Sequence, residues 1–116
     1  MQKLGPEVFA AFEHDAEARF IAKLGKVLRE AVPDLASEPE PAFSAQVRLL
    51  VEEARSYGLT TEQTIGAFAI TAGLLGTDFV EQNPAAKGIL TSHEDEFRKA
   101  ELLEEFTVKL FRILEQ

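Results

Sequence analysis

The stretch that most constrains this chain is Tyr57–Phe79, YGLTTEQTIGAFAITAGLLGTDF. Between Ile65 and Gly76, every residue except Thr71 is apolar or glycine. A helix that is apolar on all sides must be surrounded by other parts of the protein. This one is also far too short to cross a bilayer. The sequence therefore predicts a buried central helix, with the rest of the chain packed around it.

Signals for a turn and a helix start stand just before the apolar run. Tyr57-Gly58-Leu59 is typical of a helix end, because glycine accepts the left-handed conformation and Leu59 can fold back on the ending helix. Thr60 suits an N-cap, and Gln63 completes a capping-box pattern with it. We therefore expect one helix to end near Tyr57 and the buried helix to begin after Thr60.

The predicted buried helix has two unlike faces. One carries the small residues Gly66, Ala69, Gly73 and Gly76, at spacings that keep them on one side. Glycine has no Cβ, so we expect this face to let another backbone approach closely. The opposite face fills space, with Ile65, Phe68, Ala72, Leu75 and Phe79.

The rest of the chain also has helical periodicity. Apolar residues recur every three or four positions from Pro6 to Ala31, and Pro33 then ends the helix. Residues 33–41, PDLASEPEP, predict a stiff acidic loop, and a second helix is expected from Pro41 to Tyr57. The third helix could continue to about Gln82, before the break at Asn83-Pro84. Residues 85–90 fit a short helical turn, and Thr91 with Glu94 predicts a capping box for a last helix from Thr91 or Ser92 to about Leu114.

These elements predict an all-α fold, in which the 116 residues form one compact single-domain bundle of four main helices with the third at its centre. No segment has the alternating pattern of a strand. The predicted core contains Phe9, Phe12, Phe20, Leu24, Val47, Leu50, Tyr57, Ile65, Phe68, Ala72, Leu75 and Phe79.

Composition narrows the classes of function. The chain has no cysteine, which excludes disulfides and thiolate metal sites. The net charge of −8 disfavours binding to nucleic acid, because no basic stripe offsets the repulsion from phosphates. No run of residues resembles a signal peptide or a membrane span. We therefore expect a soluble cytoplasmic protein that binds neither nucleic acid nor membrane.

No pattern for metal, cofactor or catalytic chemistry stands out. His14 and His93 are the two histidines, and the HEDEF that begins at His93 is not the HExxH of zinc proteases. The adjacent acids Glu52-Glu53 and Glu104-Glu105 point apart by about 100° on a helix, as solvated residues do. We expect no catalytic residue, no metal and no cofactor.

A helix-turn-helix is an alternative interpretation of Ala54–Phe68, since two helices there flank a short turn with glycine. A recognition helix must present polar and basic residues to the DNA groove. The second helix here offers Glu62, Gln63 and Thr64 before it becomes apolar. A regulatory domain associated with nucleic acid is therefore the second hypothesis, and a small enzyme or toxin is the third.

Three segments also resemble a group of small helical bacterial proteins encoded in type VI secretion clusters, beside spike, PAAR or effector genes. The segments are FIAKLGKVLREAVPDL (20–35), QVRLLVEEARSYGLTTEQTIGAF (46–68) and LLGTDFVEQNPAAKGIL (74–90). The matching residues are Pro33, Arg48, Tyr57-Gly58-Leu59-Thr60, Gly76, Asp78-Phe79, Pro84 and Ile89-Leu90. The tryptophan that members often carry after the proline is missing here. The resemblance implies a non-enzymatic accessory of secretion: a chaperone or adaptor for an effector or spike component, or an immunity protein.

The last helix offers a surface for such a protein partner. Its apolar arc is wider than one packing contact needs, which is about 100°. Phe97, Ala100 and Phe111 flank one side of the arc, and Leu102, Phe106 and Ile113 flank the other. Two interpretations are open: either this helix lies in a groove between two others, or the edge formed by Leu102, Phe106 and Ile113 stays partly exposed and receives a partner helix or a second copy of the chain.

Overall fold

The protein is all-helical in a computed structural model, which describes the backbone of residues 6–115 and the side chains of residues 14–115. Six helices follow one another, and no strand occurs within that backbone range. Their bounds are α1 Pro6–Ala31, α2 Glu40–Ser56, α3 Glu62–Leu75, α4 Phe79–Gln82, α5 Pro84–Leu90 and α6 Glu96–Glu115. The predicted single all-helical globule is confirmed. Two short helices, α4 and α5, join the four long ones, so the count of four main helices is right only in part.

Prolines set the limits of the first two helices. α1 spans Pro6–Ala31 as predicted, and a 3₁₀ turn at Pro33–Leu35 follows it. α2 begins at Glu40, one residue before the predicted start, with Pro41 in its first turn. Proline is tolerated there because the first N–H groups of a helix have no partner within it.

The predicted turn at Gly58 is confirmed. Gly58 has a φ of 83°, in the left-handed region. Its N–H donates to the carbonyl oxygen of Arg55 at 3.0 Å, and the N–H of Leu59 donates to that of Ala54 at 3.2 Å. This is the Schellman pattern, and Leu59 is fully buried beneath the turn.

The cap of α3 differs from the prediction. Its N-cap is Thr61 rather than Thr60, and the capping box pairs Thr61 with Thr64 rather than with Gln63. The Thr64 N–H donates to the Thr61 hydroxyl at 3.1 Å. The Thr60 hydroxyl instead donates to the carboxylate of Glu96 on α6 at 2.7 Å.

The helices after α3 also start and end differently from the prediction. α3 ends at Leu75 and does not continue to Gln82, because Gly76 takes a φ of 109° and turns the chain. α6 begins at Glu96 rather than at Thr91 or Ser92. Thr91 lies five residues before α6 and so cannot cap it, and its hydroxyl donates back to the Lys87 carbonyl of α5 at 2.8 Å. The Asp95 carboxylate accepts from the Arg98 N–H at 2.9 Å and takes that role.

Most of the predicted core is buried. Leu24, Val47, Leu50, Ile65, Phe68, Ala72 and Phe79 are each at most 5% exposed. Phe20, Tyr57 and Leu75 are half-buried, and Phe9 and Phe12 lie outside the described side chains. Phe68 lies at the centre, with ring centroids 6.1 Å from Tyr57 and 5.2 Å from Phe79.

The small face of α3 packs on α1. A β-carbon at position 73 would lie 3.0 Å from Val32 Cγ2, and one at position 66 would lie 4.0 Å from Leu24 Cδ1. Apolar side chains of α1, and of Val32 directly after its end, therefore fill the space beside these glycines, where the sequence led us to expect a backbone. The order of the contacts also shows that α1 and α3 run in the same direction.

Candidate functional site

The three residues of the predicted edge of α6, Leu102, Phe106 and Ile113, differ in their exposure to solvent. Leu102 is half-buried, and Phe106 is half-buried and packs against the core. Ile113, two turns further along α6, is 65% exposed. The structure therefore packs Phe106 against the core and leaves Leu102 half-buried, while Ile113 faces solvent. Whether this edge binds a partner stays a prediction.

A large open groove lies on the other side of α6. Its volume is about 710 Å³, and it runs between α1 and α6 with α3 as its floor. Phe97 and Ala100, which flank the opposite side of the apolar arc from Leu102, line it. The full lining is Phe20, Lys23, Leu24, Val27, Glu62, Gln63, Gly66, Ala67, Ile70, Thr71, Leu74, Phe97, Ala100, Glu101, Glu104, Thr107 and Val108.

The floor of the groove is one stripe of α3. The sequence led us to expect that this helix is buried on all sides. The inward side of α3 is buried, with Phe68 and Ala69 fully inaccessible. The outward stripe carries Ala67 and Ile70, both half-buried, and Leu74, which is 39% exposed. α1, α2 and α6 surround α3 on its other sides. The apolar surface of α3 therefore exceeds what this fold covers.

The two walls add large apolar side chains. On α6, Phe97 is 54% exposed and Val108 is 44% exposed. On α1, Val27 is 39% exposed, and Phe20 is half-buried beside it. Single exposed apolar residues are normal on a protein surface, whereas large continuous apolar patches occur at interaction sites. The exposed apolar side chains here line one groove and so lie beside one another.

The charged residues along the groove are mostly acidic. Lys23 lies 3.7 Å from Glu62, so these two charges offset each other. On the α6 wall, Glu101 pairs with Arg98, and Glu104 has no ion-pair partner among the side chains of residues 14–115. The rim of the groove therefore carries an excess of negative charge, which is largest on the α6 wall.

The α6 wall is fixed to the turn between α2 and α3 by Glu96. Its carboxylate accepts hydrogen bonds from the Thr60 hydroxyl at 2.7 Å, the Thr60 N–H at 3.1 Å, the Thr64 hydroxyl at 2.8 Å and the Thr61 N–H at 3.1 Å. These bonds, led by that of the Thr60 hydroxyl, lower the pKa of Glu96 to about 2. The charge also lies at the N-terminus of α3, where the helix dipole favours an anion.

Lys99 makes a second contact with the same turn. Its ammonium group donates to the carbonyl oxygen of Tyr57 at 2.9 Å, at the C-terminal end of α2, where a cation is favoured. Glu96 and Lys99 are three residues apart on α6, so one turn of this helix holds the ends of two others. The groove thus has a rigidly placed wall.

Arg29 fixes the end of α1, a role that the sequence did not indicate. Its guanidinium donates to the carbonyl oxygens of Leu35, Ala36 and Glu38 at 2.8–3.0 Å and to the Glu40 carboxylate at 3.0 Å. It also lies 4.1 Å from the ring centroid of Phe43. The periodicity places Arg29 on the polar face of α1, and its partners belong to a loop whose path the sequence does not specify.

No three of the His, Asp and Glu residues from 14 to 115 come together as a group that could hold a metal ion. Burial, with a smaller effect of Glu81, raises the pKa of Glu53, which lies outside the groove. The hydrogen bond from Arg55 lowers the pKa of Glu17, which forms a surface ion pair with it. In the part of the chain described, no helix combines the length and apolarity that a bilayer crossing needs.

Comparison of the chain with protein-family models, curated proteins and solved structures finds no match. The resemblance to accessory proteins of type VI secretion therefore stays a prediction. The groove between α1, α3 and α6 is therefore the candidate site of the described residues.

Proposed function

We propose that this chain is a non-enzymatic protein-binding accessory, and that the groove between α1, α3 and α6 is its binding surface. The observation that carries the proposal is the uncovered apolar stripe of α3 between two walls with exposed Phe97, Val108 and Val27. The resemblance suggests an effector or spike component of bacterial secretion as the partner. Chaperone, adaptor and immunity protein are the three roles that it suggests.

The shape of the groove favours a protein segment over a small molecule. Small-molecule sites are concave and enclose most of the ligand, with a few convergent polar groups that fix its orientation. This groove is open and follows α3 from Glu62 to Leu74, a length of about 18 Å at a rise of about 1.5 Å per residue. An apolar channel of this length fits the recognition of a helix laid in a groove.

The nucleic-acid alternative has weaker support. The Gly58 turn has the form that a helix-turn-helix uses. However, the N-terminal turn of α3, which would enter a DNA groove, has Glu96 bonded to it and Glu62 as its charged residue. Two carboxylates at that position would repel phosphates. The charge of the site therefore favours a protein partner.

The experiment is a pull-down from the native host with matched tryptophan variants. Ala67→Trp fills the floor of the groove, where Ala67 is half-buried. Ala45→Trp makes the same change on the exposed face of α2, away from the groove. We expect the product of a neighbouring gene to be retained by the wild type and by Ala45→Trp and to be lost with Ala67→Trp. Circular dichroism must first show that both variants are folded.

Two results would reject the proposal. One is the absence of any specifically enriched protein with the wild type. The other is equal retention of the partner by both tryptophan variants, which would place binding elsewhere.

A further inference from the structure

We infer, on the basis of the proposed function, that the groove binds one amphipathic helix of net positive charge. This guest helix carries lysine or arginine beside its apolar stripe, on the side that faces α6. The length, depth and charge of the groove together specify the secondary structure, length and charge of the bound segment.

The length and depth of the groove limit the guest. The floor residues lie at Glu62, Gln63, Gly66, Ala67, Ile70, Thr71 and Leu74, so they form one stripe along nearly all of α3. The length of about 18 Å corresponds to about 12 residues of a guest helix, or three turns. Gly66 and Ala67 have small side chains, so the groove is deeper above them. Ile70 and Leu74 are larger and make it shallower further along α3. A guest with its largest apolar side chain above Gly66 and Ala67 would match this profile.

The negative charge along the rim of the groove favours a basic partner helix. Glu101 and Glu104 lie on the α6 wall, where Glu101 pairs with Arg98 and Glu104 is left as the uncompensated charge among the described side chains. Lys23, the one basic residue among the described lining, is offset by Glu62. Complementary charge along an interface speeds association and suppresses wrong partners. A basic flank facing α6 would therefore be attracted, and an acidic helix would be repelled.

A second copy of this chain is the competing occupant. Each copy carries a net charge of −8, so two copies repel each other at low ionic strength. Among the described lining residues, Lys23 on α1 is the only basic one, and the α6 wall of a second copy would bring more carboxylates. The rim therefore favours a different, basic protein segment.

The test selects helical peptides on the immobilised full-length protein. The probe is a displayed peptide library with a fixed Leu and Ala stripe at helical spacing and flanks randomised over Lys, Glu, Gln and Ser. We expect the selected peptides to be enriched in lysine along one flank. Their affinity, from fluorescence anisotropy, should fall at least about tenfold with Ala67→Trp and should not change with Ala45→Trp.

A charge exchange tests the orientation. The double variant Glu101→Lys and Glu104→Lys should weaken the lysine-rich peptide by roughly tenfold at low salt, since exposed ion pairs contribute a few-fold each. It should strengthen binding of the matched peptide with glutamate in place of lysine. Both effects should shrink at about 0.5 M salt because screening shortens the range of the charges.

The possible failures are distinguishable. Selected peptides without charge bias that still lose affinity with Ala67→Trp would overturn the inference and leave the proposed function standing. A wild-type dimer in light scattering that Ala67→Trp abolishes would assign the groove to a second copy and overturn the inference. Selection of no peptide would also overturn it, and the pull-down with tryptophan variants would then decide independently whether the groove binds a protein.

Discussion

Gly73 offers the sharpest test of how α1 packs on α3. A β-carbon at this position would lie 3.0 Å from Val32 Cγ2, 3.5 Å from Leu35 Cδ1 and 3.8 Å from Leu28 Cδ2. Carbon atoms in good contact are about 3.5–4.0 Å apart, so the contact with Val32 is too short by several tenths of an ångström. Val32 is 4% exposed and has little space into which to move.

Two opposing free-energy terms set the effect of Gly73→Ala. Replacing glycine within a helix stabilises it by about 1 kcal/mol, whereas overpacking a core costs about 1–3 kcal/mol. We therefore expect Gly73→Ala to change the free energy of unfolding by between about zero and 2 kcal/mol, in the destabilising direction. Gly73→Leu adds three more carbon atoms to the same site, and we expect a loss of at least about 2 kcal/mol.

Val32→Ala supplies the control, because it removes the methyl group that a β-carbon at position 73 would meet. In the double variant Gly73→Ala with Val32→Ala, we expect a favourable coupling of about 1 kcal/mol relative to the sum of the single changes. Urea denaturation followed by circular dichroism measures all four free energies. A Gly73→Ala variant that is stabilised by the full helix-propensity term, without coupling to Val32, would refute the packing. A Gly73→Leu variant with an unchanged or raised melting temperature would show an open face.

Three further predictions concern the turn, the Glu96 contact and the predicted edge of α6. Gly58→Val should cost about 1–2 kcal/mol of stability at a φ of 83° while Gly58→Asn is nearly neutral, and equal melting temperatures would contradict the left-handed turn. Because folding lowers the pKa of Glu96 from its ordinary 4.5 to about 2, the ionised carboxylate stabilises the fold above pH 4.5. This contribution is lost as the pH falls toward 2. Urea midpoints of Glu96→Gln should therefore fall less between pH 4.5 and 2 than those of the wild type, and parallel curves would exclude the effect. Leu102→Asp should lose about 1–3 kcal/mol of stability because it buries part of a carboxylate. Ile113→Asp should leave the melting temperature unchanged, and loss of a co-purifying partner with that variant would assign binding to this edge.

Local signals in the sequence predicted the course of the backbone well. Pro33 ends α1 because a proline restricts the residue before it, and this restriction depends only on neighbours in sequence. Gly58 ends α2 for an equally local reason, the absence of a Cβ in a left-handed turn. Both positions could therefore be read from a few residues.

The predicted caps of α3 and α6 are wrong for two different reasons. Thr60 has the residue type of an N-cap, but its hydroxyl donates to Glu96, 36 positions away, and this contact depends on the tertiary arrangement. Thr91 fits a capping box with Glu94, but its hydroxyl bonds to the Lys87 carbonyl of α5, whose extent the sequence left open. Local patterns contain neither piece of information.

The sequence predicted the apolar surfaces that form the groove but not the position of the groove. The sequence indicated that α3 is apolar on every side and that the apolar arc of α6 exceeds one contact. It did not indicate that α1 and α6 stand apart over Ala67 and Ile70, because the spacing of two helices depends on all the side chains between them. Where uncovered apolar surface remains is therefore a property of the assembled fold.

The central claim is that the groove holds a helix of a partner protein, and photocrosslinking in the native host tests it most directly. One protein carries p-benzoylphenylalanine in place of Val108, on the α6 wall, and the control carries it in place of Leu49, which is 60% exposed on α2. Illumination followed by mass spectrometry identifies the crosslinked segment. We expect a crosslink from position 108 to a basic helical segment of one protein and none from position 49. The absence of a crosslink at position 108, or the same crosslinked protein at both positions, would contradict the claim.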